Sequence, residues 1–428
     1  MLLYFVLEED MKHTYQIKEI LPRMILDSRG NPTTEAEVEL SDGTIGIASC
    51  PSGASTGAHE ALELRDGGDV FLGKGVKNAI GEMRKIAKHL CGETELTQCR
   101  VDSELIRLDG TDNKSQLGAN SILPISLACA RAHANQLGIP LYRYLGGIRT
   151  QRIPIPMMNI LNGGAHAANS LDFQEFMIVP AGFSTYGEAL RAGCEIYATL
   201  KKILMRNGYH TGVGDEGGFA PDLQDEHEAL DLITEAIEEA GYDTKKIKIA
   251  LDVAASEWYS NGKYLLPKSK RQWSATELID HLEELCDRYP ILSIEDGLAE
   301  DDFEGWKLLT ERLGHRIQLV GDDLFVTNPK RLMVGIAERL GNAILIKPNQ
   351  IGTLSEVFRV ISLARAHGYA CILSHRSGET EDTFLADLAV ACEAQYIKCG
   401  APCRSERVCK YNRLTQITEE LICPIYGE

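Results

Sequence analysis

The sequence predicts an α/β protein, a C-terminal (β/α)8-type barrel preceded by a smaller α+β domain. Three observations predict it. From about residue 149 onward, short apolar runs recur, each followed by a loop and an amphipathic helix. Before about residue 148 the pattern is different, with strands of period two followed by helices. Finally, the six clearest runs of the second region all end in ionisable residues, as the strand tips at the mouth of a parallel barrel do.

The first region opens with TTEAEVELSDGTIGIASC, in which apolar and polar residues alternate, and Asp42-Gly43 falls between two such runs as a hairpin signal. Helices are predicted around Val76 to Leu90 and Gly118 to Leu137. Strands followed by helices make an α+β unit. Two glycines and two prolines between Gly146 and Pro156 mark its end. The expected division is a loose extension at 1–14, a lid or capping domain at 15–148 and the barrel at 149–428. Met1 to Leu7 is apolar but too short to span a bilayer. It has no basic leader and runs into Glu8-Glu9-Asp10, unlike a secretion signal. Translation starting at Met11 accounts for these residues as an appendage.

In the second region the runs are KIKIALD, ILSIED, IQLVGDD, AILIKPN, ACILSHR and YIKCG. The helices between them carry start signals. Ser274 with Glu277 and Thr353 with Glu356 match capping boxes, and Asn328-Pro329 places proline in a first turn. Leu278, Ile279, Leu282, Leu285, Cys286 and Tyr289 share one apolar face. Strand and helix alternating without turn-only hairpins predicts parallel strands joined by crossover helices. About 280 residues of this pattern suits a closed barrel better than an open sheet.

Composition excludes several classes of function. The chain has 428 residues, with 44 Lys and Arg against 62 Asp and Glu, a formal charge of −18. No run of five basic residues occurs, so nucleic acid and anionic membranes are disfavoured as direct partners. The twelve cysteines include no CxxC pair and mostly sit inside apolar patterns, which predicts reduced, partly buried thiols in a cytosolic protein.

The run ends are Asp252, Glu295, Asp322, Lys347, His375 with Arg376, and Lys398. In a closed barrel these meet at one mouth. Three carboxylates a few ångströms apart could not all stay ionised without a cation. An all-oxygen set of this kind suits Mg²⁺, the alternative being a plain acidic rim. Arg376 has the planar fork that suits a phosphate or carboxylate. Lys347, near a metal and a second cation, is expected to have a lowered pKa suited to a general base. The alternative is a ring of simple ion pairs. In GVGDEGGFAP, Glu216 is a candidate proton donor, and the Gly- and Ser-rich loop PSGASTGAHEALELRD with Ser55 is a candidate lid.

Nine motifs run in order between Ile20 and about Leu421, and together they resemble those of one family. The motifs that carry the resemblance begin with DSRGNPT from Asp27, PSGASTG from Pro51, NGGAHA from Asn162 and QEFMIVP from Gln174. They continue with GDEGGFAP from Gly214, SIEDGL from Ser293, GDDLFVTN from Gly321, LIKPNQIGT from Leu345 and SHRSGETEDT from Ser374. In this the chain resembles the enolase family, and the resemblance implies reversible dehydration of 2-phosphoglycerate to phosphoenolpyruvate in glycolysis and gluconeogenesis, in the cytoplasm. It implies Lys347 as the base at C2 and Glu216 as the donor to the departing hydroxyl. It also implies Asp252, Glu295 and Asp322 on a first Mg²⁺, with a second Mg²⁺, under the Ser55 loop, arriving with or after substrate. Arg376 and Ser377 would bind phosphate; His166, His375 and Lys398 would line the pocket; Gln174 and Glu175 would sit at the leaving-group side. A homodimer, or an octamer built from dimers, is implied as the assembly.

Departures from the family pattern are small. Cys50 stands where an aliphatic residue is commoner, Cys399 where a small residue is usual, and Ala165 at a variable position. Cys399 is expected to tune the pocket or make it oxidation-sensitive. Two other readings keep the fold. One is a paralogue acting on a phosphonate or another phosphorylated hydroxy acid; the other is a scaffold or surface-binding protein.

Overall fold

The structure is a computed structural model that describes residues 16–54, 57–93, 97–148 and 150–427. The expected extension at 1–14 lies outside the described residues. Three antiparallel strands, β1 (Ile17–Leu26), β2 (Pro32–Leu40) and β3 (Ile45–Ser49), form a sheet with β2 in the centre. The Asp42-Gly43 turn joins β2 to β3, and the Asp42 carboxylate accepts the Thr44 N–H at 2.9 Å. Helices α1 (Lys77–Leu90), α2 (Gln98–Asp109), α3 (Ala119–Gln136) and α4 (Leu141–Gly146) follow. α3 is buried along nearly its whole length because it packs on β2 and β3. That packing needs Gly46: a Cβ there would stand 2.2 Å from the Ala128 carbonyl oxygen.

The second part is a closed eight-stranded barrel. Its strands are β4 (Ile155–Asn162), β5 (Glu175–Val179), β6 (Lys248–Asp252), β7 (Ile291–Glu295), β8 (Gln318–Gly321), β9 (Ala343–Ile346), β10 (Ala370–Ser374) and β11 (Tyr396–Lys398). They follow one another round the ring in chain order, and β11 pairs with β4 to close it. The barrel architecture and the smaller preceding domain are those expected. The six runs read from the sequence are β6 to β11, and they are parallel to one another.

One expectation needs correction. β5 is antiparallel to both of its neighbours, so the barrel is not uniformly parallel. No helix other than a single 3-10 turn, Gly164–His166, lies between β4 and β5, so the chain returns directly beside itself. Two helices, α5 (Tyr186–Arg206) and α6 (Glu226–Glu239), then join β5 to β6 and restore the common direction. The remaining helices are α7 (Ala275–Arg288), α8 (Phe303–Leu313), α9 (Pro329–Glu338), α10 (Leu354–Ala366), α11 (Phe384–Ala391) and α12 (Ser405–Glu420). α7 starts in the predicted capping box of Ser274 and Glu277. Asn328 caps α9 with Pro329 in its first turn, and Thr353 accepts the Glu356 N–H at the start of α10.

Alternation along the strands separates two cores. Ile155, Met157, Met177, Val179, Ala250, Val320, Ala343, Leu345, Ile372 and Tyr396 fill the barrel interior. A larger cluster fills the space between strands and helices. In strands, residues two apart share a face. The same alternation that points Met177, Ala250, Val320, Leu345 and Tyr396 inward therefore points Glu175, Asp252, Asp322, Lys347 and Lys398 inward at the mouth.

Candidate active site

The charged groups at the mouth stand on an apolar floor and are themselves buried. Register fixes the first of them: Glu175 pairs with Asp252 across β5 and β6, and Asp252 pairs with Glu295 across β6 and β7. Three carboxylates therefore stand side by side on adjacent strands. Lys398, paired in register with Ser374, reaches all three: its Nζ lies 3.1 Å from Glu175 Oε2, 3.2 Å from Asp252 Oδ2 and 2.8 Å from Glu295 Oε2. Those acids hold its pKa well above the ordinary lysine value although burial pulls the other way. Glu295 is pushed up to about 8, first by burial and then by Asp252.

The second lysine, Lys347, pairs with Asp322 Oδ2. Burial lowers its pKa, but the Asp322 carboxylate outweighs that and leaves it raised. The lowered value expected of Lys347 is that of a lysine beside a bound metal; the protein's own charges alone shift it upward. Gln350 Nε2 donates to the other Asp322 oxygen at 2.9 Å. The Asp322 and Asp323 N–H groups donate to the two oxygens of Asp296 at 2.9 and 2.8 Å.

On the opposite side, Glu216 comes from the loop between α5 and α6. The tight path of that loop depends on Gly217, whose φ is +88 and whose Cβ position lies 2.9 Å from the Cys403 carbonyl oxygen. Asn159 Nδ2 donates to Glu216 Oε2 at 3.0 Å, and His375 Nε2 stands 3.3 Å from the same oxygen. Arg407 donates to His375 Nδ1, so the ring hydrogen sits on Nε2, facing Glu216. Burial lowers the His375 pKa to about 4. His166 Nδ1 lies 3.5 Å from Glu175 Oε1 and 3.7 Å from Glu216 Oε1, and burial lowers its pKa too.

Glu175 and Glu216 are driven apart. Burial and the Glu216 charge hold Glu175 well above the usual carboxylate range. Burial also opposes ionisation of Glu216, but His375 and His166 overcome it and lower its pKa. A proton shared by the pair is therefore favoured on Glu175. Gln174 Nε2, beside them, donates to Asp252 Oδ2 at 3.2 Å.

Arg376 is buried and forms a fork to Glu60, with Nη1 and Nη2 at 2.8 and 3.1 Å from its two oxygens, and Nη1 also donates to Asn349. The first domain thus reaches into the mouth. Ser377 Oγ accepts the Ala54 N–H at 2.8 Å, and Ser52 and Gly378 exchange backbone hydrogen bonds. Ser55 lies outside the described residues. Every other expected site residue except Glu295, Asp322 and the second-metal loop lines one small cavity, and Glu295 and Asp322 contact Lys398 and Lys347 beside it. The cavity holds only about 10 Å³, close to one water. A wider cleft of about 870 Å³ lies elsewhere, between the first sheet and residues 379–387, but it lacks the lysines and the shared register.

Ligand atoms of His166, Glu175 and Glu216 lie within 4.8 Å of one another, as do those of Asp296, Asp322 and Asp323. Asp252, Glu295 and Asp322 do not form such a group among the described residues, because Lys398 bridges the first two and Lys347 draws on the third. Their donor chemistry nevertheless fits Mg²⁺: all are carboxylates, and Glu295 Oε1 is buried with no hydrogen-bond partner. Sequence reasoning missed Asn159, Glu60, Gln350 and Arg407. Only Asn159 left a local signal, an amide inside an otherwise apolar strand.

Comparison with known families decides the affiliation. A family model described as "Enolase, N-terminal domain" matches residues 17–145, and one described as "Enolase, C-terminal TIM barrel domain" matches residues 150–424. The chain belongs to the enolase family. Membership carries lyase chemistry and a general dependence on Mg²⁺. No helix among the described residues is long and apolar enough to cross a membrane.

Cys399 corrects one expectation about reactivity. Its side chain is fully buried and burial raises its thiol pKa, which makes it inert rather than oxidation-sensitive. Cys50 is raised by burial in the same way.

Proposed function

We propose that the protein catalyses the reversible dehydration of 2-phospho-D-glycerate to phosphoenolpyruvate. The observation that carries this reading is the meeting of Lys347, Lys398 and Arg376 with Asp252, Glu295 and Asp322 at one barrel mouth, in a chain of the enolase family. Removing a proton next to a carboxylate places a second negative charge on the same group, so the site must supply positive charge there. Asp252, Glu295 and Asp322 would hold Mg²⁺, which when bound supplies that positive charge and takes up the Asp322 charge that keeps Lys347 protonated. A Lys or His base working beside one or two Mg²⁺ ions is the general pattern of the enolase superfamily, and the pairing is adopted here on that ground.

Lys347 Nζ removes the C2 proton. Glu216 serves the departing hydroxyl as its proton donor, with Glu175 and His166 beside it. His375, neutral and oriented by Arg407, keeps Glu216 in place. Arg376 exchanges its fork to Glu60 for the substrate phosphate, with Ser377 beside it. Gln174 orients Asp252. Because the cavity is small, substrate entry requires the Arg376–Glu60 contact to open, and the loop around Ser55 would close over the bound substrate and a second Mg²⁺. We further propose a cytoplasmic homodimer acting in glycolysis and gluconeogenesis. The test is phosphoenolpyruvate absorbance from purified protein and 2-phosphoglycerate with Mg²⁺ added or chelated. Turnover that needs both supports the reading; no turnover with Mg²⁺ saturating overturns it.

A further inference from the structure

A second set of metal-ligating side chains lies outside the mouth. Glu226 and His227 occupy the first turn of α6, and His281 projects from α7. One ligand atom from each lies within 4.8 Å of the other two. The Glu226 and His281 side chains are only 7% and 11% exposed, and His281 Nε2 stands 2.6 Å from Glu226 Oε1. That nitrogen is buried, yet the approach lacks the alignment of a hydrogen bond and no other partner meets it among the described residues. Two imidazoles and a carboxylate are thus aimed at one spot.

The surroundings fit a cation. Asp225, Glu228, Asp231 and Glu235 line an open depression of about 450 Å³ that also includes His227. Tyr289 fixes the histidine: its hydroxyl donates to Asp231 Oδ1 at 2.7 Å and lies 3.4 Å from His227 Nδ1. Two arginines oppose a cation here: Arg271, 3.3 Å from Glu226 Oε1 and 41% exposed, and Arg288, which lines the depression and pairs with Asp231 Oδ2 at 3.0 Å. A set of two nitrogens and one oxygen with room for water suits a borderline transition metal, whereas Mg²⁺ prefers oxygen ligands alone.

We propose that Glu226, His227 and His281 bind one Zn²⁺-class cation that ties α6 to α7, separately from the Mg²⁺ chemistry of the barrel mouth. Trp273 is a built-in reporter, its ring centroid 5.0 Å from that of His281. The experiment is calorimetric titration of the full chain with Zn²⁺ in excess Mg²⁺, alongside Ni²⁺ quenching of Trp fluorescence. One Zn²⁺ per chain with micromolar affinity is expected, with Trp273→Phe losing the quenching. His281→Gln and His227→Ala should each raise the apparent Kd by about tenfold or more, while Asp322→Asn leaves it unchanged. Circular dichroism confirms that each variant is folded; if His281→Gln is not, His227→Ala, at the less buried ligand, decides alone. Wild-type affinity in the folded histidine variants, or loss of binding in Asp322→Asn, overturns the proposal.

Discussion

Lys398→Met removes the cation that faces Glu175, Asp252 and Glu295 together. Breaking a buried ion pair by deleting one partner costs about 3–5 kcal/mol. Proton uptake by Glu295 gives the deficit its pH dependence. Glu295 has a pKa of about 8 even with Lys398 present, against an ordinary 4.5, and losing the lysine raises it further. Keeping that carboxyl protonated at pH 7 costs about 3.5 kcal/mol, from about 1.4 kcal/mol for each pH unit above its unfolded value, and wild type already bears that cost. The sign follows from proton counts. A carboxyl whose folded pKa is raised stabilises only below its unfolded pKa, and that stability is lost as pH rises toward the folded value. Below about pH 8 Glu295 is protonated in wild type and variant alike, so the variant's deficit should be level between pH 5 and 7 and grow above about pH 8, by up to about 1.4 kcal/mol per pH unit, as wild type alone releases that proton. Urea midpoints of wild type and variant, measured between about pH 5 and 9.5 with a chelator present, read this directly. A deficit that grows between pH 5 and 7, or one that stays level above about pH 8, would refute the reasoning.

Two further predictions rest on burial. His375 has a pKa lowered to about 4 from 6.5, so the unfolded chain takes up a proton first as pH falls. Its contribution to stability is lost between about pH 6.5 and 4, up to about 3 kcal/mol, and His375→Gln should flatten that part of the acid limb in thermal melts. Iodoacetamide should modify exposed Cys99, Cys194 and Cys423 while sparing buried Cys50 and Cys399 in the native chain; peptide mass mapping that finds Cys399 labelled early would contradict its burial.

Much of the mouth was legible because strand tips carry their own signal. In β6, β8, β9 and β11 an apolar residue and the charged residue two places on share a face, so the sequence states both the core and the site. β4 and β5 were not oriented this way: every residue in both is buried, which leaves no alternation to show direction. The Glu60 fork to Arg376 joins residues 316 positions apart, and Arg407 reaches His375 from α12; neither contact has a local pattern. The raised pKa of Lys347 depends on how closely Asp322 approaches it, a quantity set by packing and not by residue type. The sequence implied the base but not the charge it must first be freed from.

The most direct test of the proposed chemistry is deuterium exchange at C2 of 2-phosphoglycerate, followed by proton NMR in Mg²⁺ for wild type, Glu216→Gln and Lys347→Ala. The account predicts that Glu216→Gln loses dehydration but still exchanges the C2 proton, and that Lys347→Ala loses both. Exchange retained in Lys347→Ala would contradict it.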